Sequence, residues 1–303
     1  MKWIVLALAA AVIALTAVFS ARSLNTTGPS GGDLIPHGDP VMVGAGDIAD
    51  EDSPATGEVA DLIQGIDGTV FTLGDNVQGN GDREEFVEYY DPAWGDFKDR
   101  TKPVVGNHEY YTEGAEGYFD YFGEAAGDPE KGYYSYDVGE WHVVVLNTMC
   151  EEVGGCTEQA PQLQWLKRDL AEDQARCTLA MGHHPLFSSG EKYGGDSKMK
   201  PTYEVLHEAG VDVILSSHEG NYERFALQDA EGNADPRGFR QFIVGTGGHF
   251  LSGFGEIAPN SQIRNGETHG ALKMTLHPES YEWEFLPVEG ESFTDSGSAG
   301  CNG

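Results

Sequence analysis

Five short apolar runs, each followed by a residue that can bind a metal ion, constrain the fold of this chain more than any other feature. They cover residues 41–46, 69–74, 102–106, 177–182 and 211–217, and they lead into Asp47, Asp75, Asn107, His183 and His218. Glycine-bounded runs rich in β-branched and aromatic residues are typical of buried strands. Open α/β sheets bind their ligands at the carboxyl ends of the strands. We therefore expect these five side chains to converge on one metal site, with Asp75 at its centre.

The rest of the chain alternates between helices and strands at first and later contains mainly strands. Helices are expected near residues 55–66, 83–97 and 161–175, a β-hairpin within residues 132–148, and strands at 241–244, 271–276 and 281–286. This order predicts an α/β fold of two packed β-sheets with helices outside, in one domain over residues 41–288. Residues 289–303 are mostly polar and are expected to form a loose tail.

The charge balance is strongly acidic. The 303 residues include 50 Asp and Glu against 18 Lys and Arg, which gives a formal net charge of −32. Such a surface repels phosphate backbones, so a nucleic acid is not an expected partner. The plain interpretation is a solubilising surface, and its self-repulsion is expected to weaken the fold at low ionic strength. No feature of the sequence sets the oligomeric state.

The first 20 residues match a secretory signal peptide. Lys2 precedes an apolar run over residues 3–19, and small residues follow it near Ser20. If the segment is retained, residues 3–19 would instead tether the protein to a membrane, since they approach the length of a membrane span. Residues 21–40 are rich in Gly, Ser, Thr and Pro and are expected to form a flexible linker. Both interpretations predict a secreted or otherwise extracytoplasmic protein.

The four cysteines agree with an oxidising compartment. Cys150 and Cys156 lie six positions apart around a Gly-Gly pair, close enough to form a disulfide, which leaves Cys177 and Cys301 for a second one. Three pairings are formally open, and the Cys150–Cys156 pairing is favoured. Thiolate metal binding would call for closer Cys-x-x-Cys spacing.

Short motifs at the five strand ends resemble those of a known family. They are Gly46-Asp47, Gly74-Asp75-Asn76, Gly106-Asn107-His108-Glu109, His183-His184-Pro185, and His218 followed by Asn221-Tyr222-Glu223-Arg224-Phe225. In this order and at this spacing the chain resembles the calcineurin-like metallophosphoesterases, most closely a bacterial branch similar to purple acid phosphatases. The resemblance implies a four-layer αββα sandwich. It also implies that metal-activated water hydrolyses a small phosphorylated substrate, with phosphomonoesters favoured.

The resemblance also implies roles for individual residues. One metal would be held by Asp75, Asn107, His183 and His218, and a second by Asp47 together with the shared Asp75. His108 would be the catalytic acid that protonates the leaving oxygen, and Glu109 would orient His108. Mixed carboxylate, amide and imidazole ligands suit divalent Mn, Fe or Zn, and a site completed by waters also suits Mg, at one or two ions per chain.

The second metal site departs from the family pattern. Gln78 stands where a tyrosine is usual, Gly220 where a second histidine is usual, and Ser217 where a glycine is usual. Gln78 and Asp50 are then the remaining candidates for weak ligands at that site. His249 would approach the cleft as a partial substitute for the missing imidazole, whereas His184 is expected to face away from the metals.

These departures leave three functions open. The chain is a phosphoesterase with one intact and one underliganded metal site, or a catalytically degenerate protein that binds phosphate or metal. The third alternative is a surface module with a vestigial cleft. The loop around Lys192 and Tyr193, where relatives often place another phosphate-contacting histidine, slightly favours the degenerate protein. The retained Asn107-His108-Glu109 and His183 favour the enzyme.

Overall fold

The computed structural model describes residues 38–302. Within this range two mixed β-sheets contain all of the named strands. Their bounds are β1 Val41–Ala45, β2 Thr69–Thr72, β3 Thr101–Lys102, β4 Tyr134–Val138, β5 Trp141–Val145, β6 Cys177–Met181, β7 Val213–Ser216, β8 Tyr222–Phe225, β9 Arg240–Val244, β10 Ser261–Asn265, β11 Gly270–His277, β12 Ser280–Pro287 and β13 Ser296–Gly300.

Each sheet has a parallel block extended by antiparallel strands. The first sheet has the order β13-β12-β11-β1-β2-β3, in which β1, β2 and β3 are parallel. The second has the order β10-β8-β9-β7-β6-β5-β4, in which β5, β6, β7 and β9 are parallel. The parallel strands of both sheets end in the predicted metal-binding residues or in loops that adjoin them. This topology brings the candidate ligands to one region of the molecule.

Alternating side chains along the strands separate an inner core from two outer ones. Phe71 and Val143 contribute to the cluster between the two sheets, whereas their neighbours Val70 and Val144 belong to clusters on the outer faces. Successive strand residues point to opposite faces, so strands buried on both faces read as continuous apolar runs. The predicted sandwich of two packed sheets with flanking helices is confirmed.

Helices cover the outer faces of both sheets. Their bounds are α1 Thr56–Gln64, α2 Arg83–Glu85, α3 Asp91–Trp94, α4 Glu116–Phe122, α5 Pro161–Glu172 and α6 Lys200–Glu208. Short 3₁₀ turns occur at Glu109–Tyr111, Glu113–Ala115, Gly123–Ala126, Cys150–Val153 and Ser197–Met199. α1 confirms the first predicted helix and α5 the third.

The predicted helix near residues 83–97 is broken into pieces. A π-helical turn, Phe86–Tyr90, joins α2 to α3, and a 3₁₀ turn, Gly95–Arg100, follows α3. Pro92 lies in the first turn of α3 and has no N–H to donate to the preceding turn, which interrupts the regular ladder. Phe86, Tyr90, Trp94 and Phe97 are nonetheless buried and Tyr89 is half-buried, so the aromatic side chains of this segment mainly pack the core as predicted.

Residues 289–302 do not form the loose tail that was expected for residues 289–303. β13 pairs with β12, and Cys301 forms a disulfide with Cys177 of β6. The buried Asp295 accepts hydrogen bonds from Tyr222 and Arg224. The Ser, Gly and Ala residues of β13 have weak strand propensity, and the covalent link and the buried carboxylate hold the segment in place. The folded domain therefore includes the residues beyond 288.

Both disulfides suggested by the cysteine spacing are present, Cys150–Cys156 and Cys177–Cys301. They are typical of proteins that mature in an oxidising compartment. The predicted signal peptide or anchor and residues 21–37 of the predicted linker lie outside the described residues.

Over residues 38–302, none of the helices combines the length and the apolar character needed to cross a membrane.

Candidate metal centre

His183 lies at the meeting point of the candidate ligands, although Asp75 was the expected centre. Its Nε2 atom is 3.2 Å from Asp75 Oδ2, 3.1 Å from Asn107 Oδ1 and 3.1 Å from His218 Nδ1. Ligands bound to one ion at about 2.1 Å are separated by about 3.0 Å in octahedral and about 3.4 Å in tetrahedral coordination. The separation of His183 Nε2 from each of the three partners falls in this range. His183 also belongs to two groups whose ligand atoms lie within 4.8 Å of one another, one with Asp47 and Asp75 and one with His184 and His218. His183 therefore links the carboxylate side and the imidazole side of a candidate metal centre.

The other ring nitrogen of His183 fixes which atom faces the centre. Nδ1 lies 2.8 Å from the carbonyl oxygen of Leu73 and 2.9 Å from Ser217 Oγ. A carbonyl oxygen only accepts, so Nδ1 carries the hydrogen and Nε2 is directed at the neighbouring ligands. Ser217 Oγ also donates to Leu73 O at 2.6 Å. Ser217, which departs from the family pattern, therefore helps to orient the candidate ligand His183. Residues that surround the direct ligands of a metal commonly have this role.

Glu109 was predicted to orient His108, but its carboxylate forms its hydrogen bonds elsewhere. Its buried carboxylate accepts from the backbone N–H groups of Asp75 at 3.1 Å, Asn76 at 2.7 Å and Gly106 at 2.6 Å. Asp75 and Asn76 lie in the turn after β2 and Gly106 in the loop after β3, and one carboxylate can satisfy several such donors at once. Glu109 therefore positions the turn that carries Asp75.

Gly106 allows the Asp75 loop and the Asn107 loop to approach each other. A Cβ atom at residue 106 would lie 2.2 Å from Asp75 Oδ1, which no side chain can accept. The same carboxylate oxygen accepts from the backbone N–H of His108 at 2.9 Å. These two loops are thus locked together around the shared carboxylate.

His108 faces the cavity beside Asp75. Its Nδ1 atom lies 3.1 Å from the carbonyl oxygen of Gly79, so Nδ1 carries a hydrogen and Nε2 is the nitrogen left for a substrate. Nε2 lies 3.8 Å from Asp75 Oδ2, and the ring packs at 4.9 Å from the ring of Tyr111. Gly79 and Tyr111 therefore position His108, a role that sequence adjacency had suggested for Glu109.

Asp47 adds a second buried carboxylate to the centre. One oxygen atom each from Asp47 and Asp75 and a nitrogen of His183 lie within 4.8 Å of one another. Asp47 Oδ2 also accepts from the backbone N–H of His218 at 3.0 Å. Gln78 lies beside these carboxylates, and its amide nitrogen donates to the carbonyl oxygen of Asp75 at 3.3 Å. In this orientation Gln78 acts as a donor next to Asp47.

The space near Gly220 is filled by another loop. A Cβ atom at residue 220 would lie 2.5 Å from the carbonyl oxygen of Phe250, and Ser252 N donates to Gly220 O at 2.7 Å. The same loop brings the backbone N–H of His249 to 3.0 Å from Asp47 O. The backbone of residues 249–252 therefore packs closely where a side chain at residue 220 would begin.

His249 and Asp50, the two expected substitutes for the missing ligands, lie next to each other. His249 Nδ1 is 3.2 Å from Asp50 Oδ2 without forming a hydrogen bond, and Asp50 accepts from Ser53 Oγ at 3.0 Å. Among the described residues, neither belongs to a group of three or more side chains close enough to share an ion. The structure thus brings His249 into the cavity wall but leaves Asp50 outside the metal cluster.

His184 does not face away as expected. Its ring packs 4.2 Å from the ring of His218, and its Nδ1 atom lies 2.8 Å from Thr148 Oγ1. His183, His184 and His218 each offer a nitrogen within 4.8 Å of the others. His184 therefore lies beside the ligand cluster, although it was expected to face away from the metals.

The buried carboxylates attract positive charge to the centre. Burial raises the pKa of Asp47 to about 6. Burial alone would lower the pKa of His183, but the carboxylates of Asp75 and Asp47 outweigh it and raise this pKa to about 9. Burial and the charge of His183 lower the pKa of His218 to about 3. The cluster therefore favours one added positive charge at His183 Nε2, the atom on which the other three predicted ligands converge.

A cavity of about 500 Å³ opens directly onto these groups. Its wall contains Asp47, Asp75, Gln78, His108, Tyr111, Lys192, Tyr193, His218, Gly220, His249, Phe250, Leu251 and Ser252. Lys192 is the one lysine or arginine in the described wall. Tyr111, Phe250 and Leu251 were not predicted, because no spacing rule links these loop residues to a strand end.

Comparison with known proteins identifies the family. A model of the calcineurin-like phosphoesterase family matches residues 34–222. Purple acid phosphatase 22 of Arabidopsis thaliana is 33% identical over 152 residues, which cover 47% of this chain and 34% of that protein. Acid phosphatase type 7 of Homo sapiens is 26% identical over 249 residues, which cover 70% of this chain and 55% of that protein. The chain thus spans about a third to a half of the length of these relatives.

Two solved structures have the same fold. Purple acid phosphatase PPD1 from yellow lupin (Lupinus luteus) seeds superposes with a TM-score of 0.64 at 20% identity, covering 86% of this chain and 53% of that one. GAP50, described as the anchor in the inner membrane complex of Plasmodium, superposes with a TM-score of 0.59 at 16% identity, covering 85% of this chain and 88% of that one. The matched motifs, the architecture and the family model agree that this chain belongs to the calcineurin-like phosphoesterase family.

Proposed function

We propose that this protein is a metal-dependent phosphoesterase that acts on small phosphomonoesters outside the cytoplasm. The observation that carries the proposal is the convergence of Asp75, Asn107 and His218 on His183 Nε2, all at 3.1–3.2 Å. These residues would hold one divalent cation, of Mn, Fe, Zn or Mg. Asp47 and the shared Asp75 would contribute to a second, more weakly held ion, beside which Gln78 acts as a hydrogen-bond donor.

Bound cations would supply charge withdrawal from the phosphoryl oxygens and acidify the attacking water. The protein's own residues prepare the rest of the reaction. His108 donates from Nδ1 to Gly79 O, which directs Nε2 at the cavity, and the ring with both nitrogens protonated can pass the Nε2 proton to the leaving oxygen. Lys192 supplies a positive charge in the same wall for a phosphate group. Glu109 keeps the Asp75 turn fixed while the ester is bound.

The two disulfides support an extracytoplasmic location, as does the signal-like segment at residues 1–20. The net charge of −32 supports a small phosphorylated substrate over a nucleic acid.

The alternative is a catalytically degenerate protein that binds phosphate or metal. It is favoured by Gly220, which provides no ligand and is covered by the backbone of residues 249–252. The fold alone does not decide, since one fold supports unrelated functions and here includes a protein described as an anchor.

Hydrolysis of phenyl phosphate by the full chain, with Mn²⁺ and then with EDTA, tests the proposal. We expect Mn²⁺-dependent turnover that falls about 10²- to 10⁴-fold in His108→Ala, the usual contribution of a general acid. Metal content by elemental analysis should stay unchanged in His108→Ala and fall in His183→Ala. His207→Ala, a histidine on α6 outside the cavity wall, is the matched control and should keep the wild-type rate.

Bound metal without turnover, or a rate that His108→Ala does not change, would instead favour the degenerate binding protein.

A further inference from the structure

Exposed aromatic side chains are concentrated at the mouth of the metal-centre cavity. Five large apolar side chains are exposed in the described chain, namely Val87, Tyr111, Tyr193, Phe250 and Ile257. Three of them, Tyr111, Tyr193 and Phe250, line this one cavity, and we call these three the aromatic rim. Leaving such surface in water is unfavourable, and apolar patches rimmed by polar residues commonly mark ligand sites.

The aromatic rim lies directly beside His218, a candidate ligand, and His108, the expected catalytic acid. The ring of Tyr193 stacks on the ring of His218, with centroids 4.2 Å apart and planes 23° apart. The ring of Tyr111 lies 4.9 Å from that of His108. A phosphate held between His108 and His218 therefore has aromatic faces next to the first atoms of its leaving group.

Tyr193 is held in place before a ligand binds. Its backbone N–H donates to the buried Glu219 at 2.6 Å, and Gly194 N donates to the same oxygen at 2.5 Å. A buried carboxylate that accepts two backbone donors fixes this part of the loop, so little ordering is left for the ligand to provide. The ring of Tyr193, which stacks on His218 and has Lys192 Nζ 4.6 Å from its centroid, is thus a preformed part of the cavity wall.

The charge of the cavity limits the ligand to few phosphates. Lys192 is the one lysine or arginine in the described wall, beside the buried carboxylates of Asp47 and Asp75, in a chain of net charge −32. Each additional phosphate would meet repulsion without a further cation to offset it. A single phosphate on an apolar, planar group matches this wall best.

From the aromatic rim and this charge distribution, we infer that the cavity selects phosphate monoesters whose leaving group is an aromatic ring. The inference deepens the proposed phosphoesterase function and rests on it for turnover. The aromatic ring of the ligand would lie among Tyr111, Tyr193 and Phe250 while the phosphate faces His108 and Lys192. Ring pairs of this kind contribute beyond the buried area alone.

Binding of two matched phosphonates tests the selection without requiring hydrolysis. Benzylphosphonate and cyclohexylmethylphosphonate carry the same anion on rings of similar size, and only the first is aromatic. With the Mn²⁺-loaded full chain, we expect calorimetry to show benzylphosphonate binding about fivefold to tenfold more tightly, as one or two aromatic contacts would give. Phe250→Leu and Tyr111→Leu keep apolar surface but remove the aromatic face, and each should reduce this preference. Val87→Ala, which alters an exposed residue away from the cavity, should retain it.

Equal dissociation constants for the two phosphonates, no binding of either, or a preference that survives Phe250→Leu combined with Tyr111→Leu would overturn the inference. Parallel assays with phenyl phosphate separate the two proposals. Aromatic preference without any turnover would refute the proposed hydrolysis and leave the selection of an aryl phosphate standing, whereas turnover without preference would do the reverse.

Discussion

At Gly220, the loss of a side chain is accompanied by the approach of a neighbouring loop. The carbonyl oxygen of Phe250 lies where it would contact a Cβ atom at 2.5 Å, and His249 of the same loop joins the cavity wall. Restoring the family's histidine at this position therefore requires the loop to move. The departure at residue 220 and the sequence of residues 249–252 are structurally linked.

Gly220→His is accordingly expected to destabilise the protein and to leave metal binding unimproved. The cost should be about 1–3 kcal/mol of unfolding free energy, the usual range for inserting atoms into a packed site. Urea unfolding and elemental analysis of the purified variant would measure both effects. Gly57→Ala is a control, since nothing lies within 4 Å of a Cβ atom there. A stable Gly220→His protein that binds an additional metal ion would show that the loop yields easily.

The sequence predicts which residues follow the ends of the strands. It does not predict where several of their side chains point. Asp75, Asn107, His183 and His218 follow apolar runs, and strand topology alone brings such positions together. Glu109 directly follows His108 in sequence, yet its carboxylate points to the N–H groups of another loop. Ser217 reads as a departure from a motif, and its role depends on a contact with Leu73 that only the folded chain creates.

His142 joins the β4–β5 hairpin to α5, together with Ser135 of β4, which donates to Asp169 at 2.8 Å. His142 of β5 contacts Asp169 of α5 at 2.9 Å and Asp137 of β4 at 3.1 Å, and Asp173 lies at 3.8 Å. The hydrogen bond to Asp169 is the largest of the effects that raise the pKa of His142 to about 9, against the opposing effect of burial. The three carboxylates around its ring make His142 an ionic link.

Because the folded state binds this proton more tightly than the unfolded state, the link should stabilise the fold fully below about pH 6.5. The stabilisation should be lost as the pH rises through about 9. We expect a decline of about 1–2 kcal/mol across this window, reduced from the full shift because Asp137 is largely exposed. Urea unfolding at pH 6.5 and pH 9 would measure it, and His142→Gln should flatten the decline. Parallel pH curves for the two proteins would contradict the assignment.

The two disulfides are expected to contribute unequally. Cys177–Cys301 joins positions 124 residues apart, whereas Cys150–Cys156 joins positions only 6 apart. On chain-entropy grounds, removing the long link by paired Cys→Ser changes should cost about 4–5 kcal/mol and removing the short one about 2 kcal/mol. Denaturant unfolding of the two double variants compares them directly. Equal losses would mean that β13 is held mainly by its pairing with β12 and by Asp295.

Across the whole molecule, negative charge opposes compactness. With 50 acidic and 18 basic residues, few carboxylates have a cationic partner, and repulsion among exposed charges is screened within about 10 Å at 0.1 M salt. We expect the unfolding free energy to rise by about 1–2 kcal/mol between 20 mM and 500 mM NaCl, which raises Tm by roughly 2–8 °C. Thermal scans across this range of NaCl concentration would show this. A Tm that is constant or falls with salt would mean that attractive pairs outweigh the repulsion.

The position of β1 within its sheet sets when the metal centre can form during biosynthesis. β1 leads into Asp47 and lies between β2 and β11, so one of its two neighbours is a strand that begins only at Gly270. A nascent chain that has already emerged from the ribosome with every candidate ligand, up to His218, still presents β1 as an open edge. The Asp47 carboxylate therefore reaches its final position late in translation. Cations that bind earlier would meet an incomplete set of ligands.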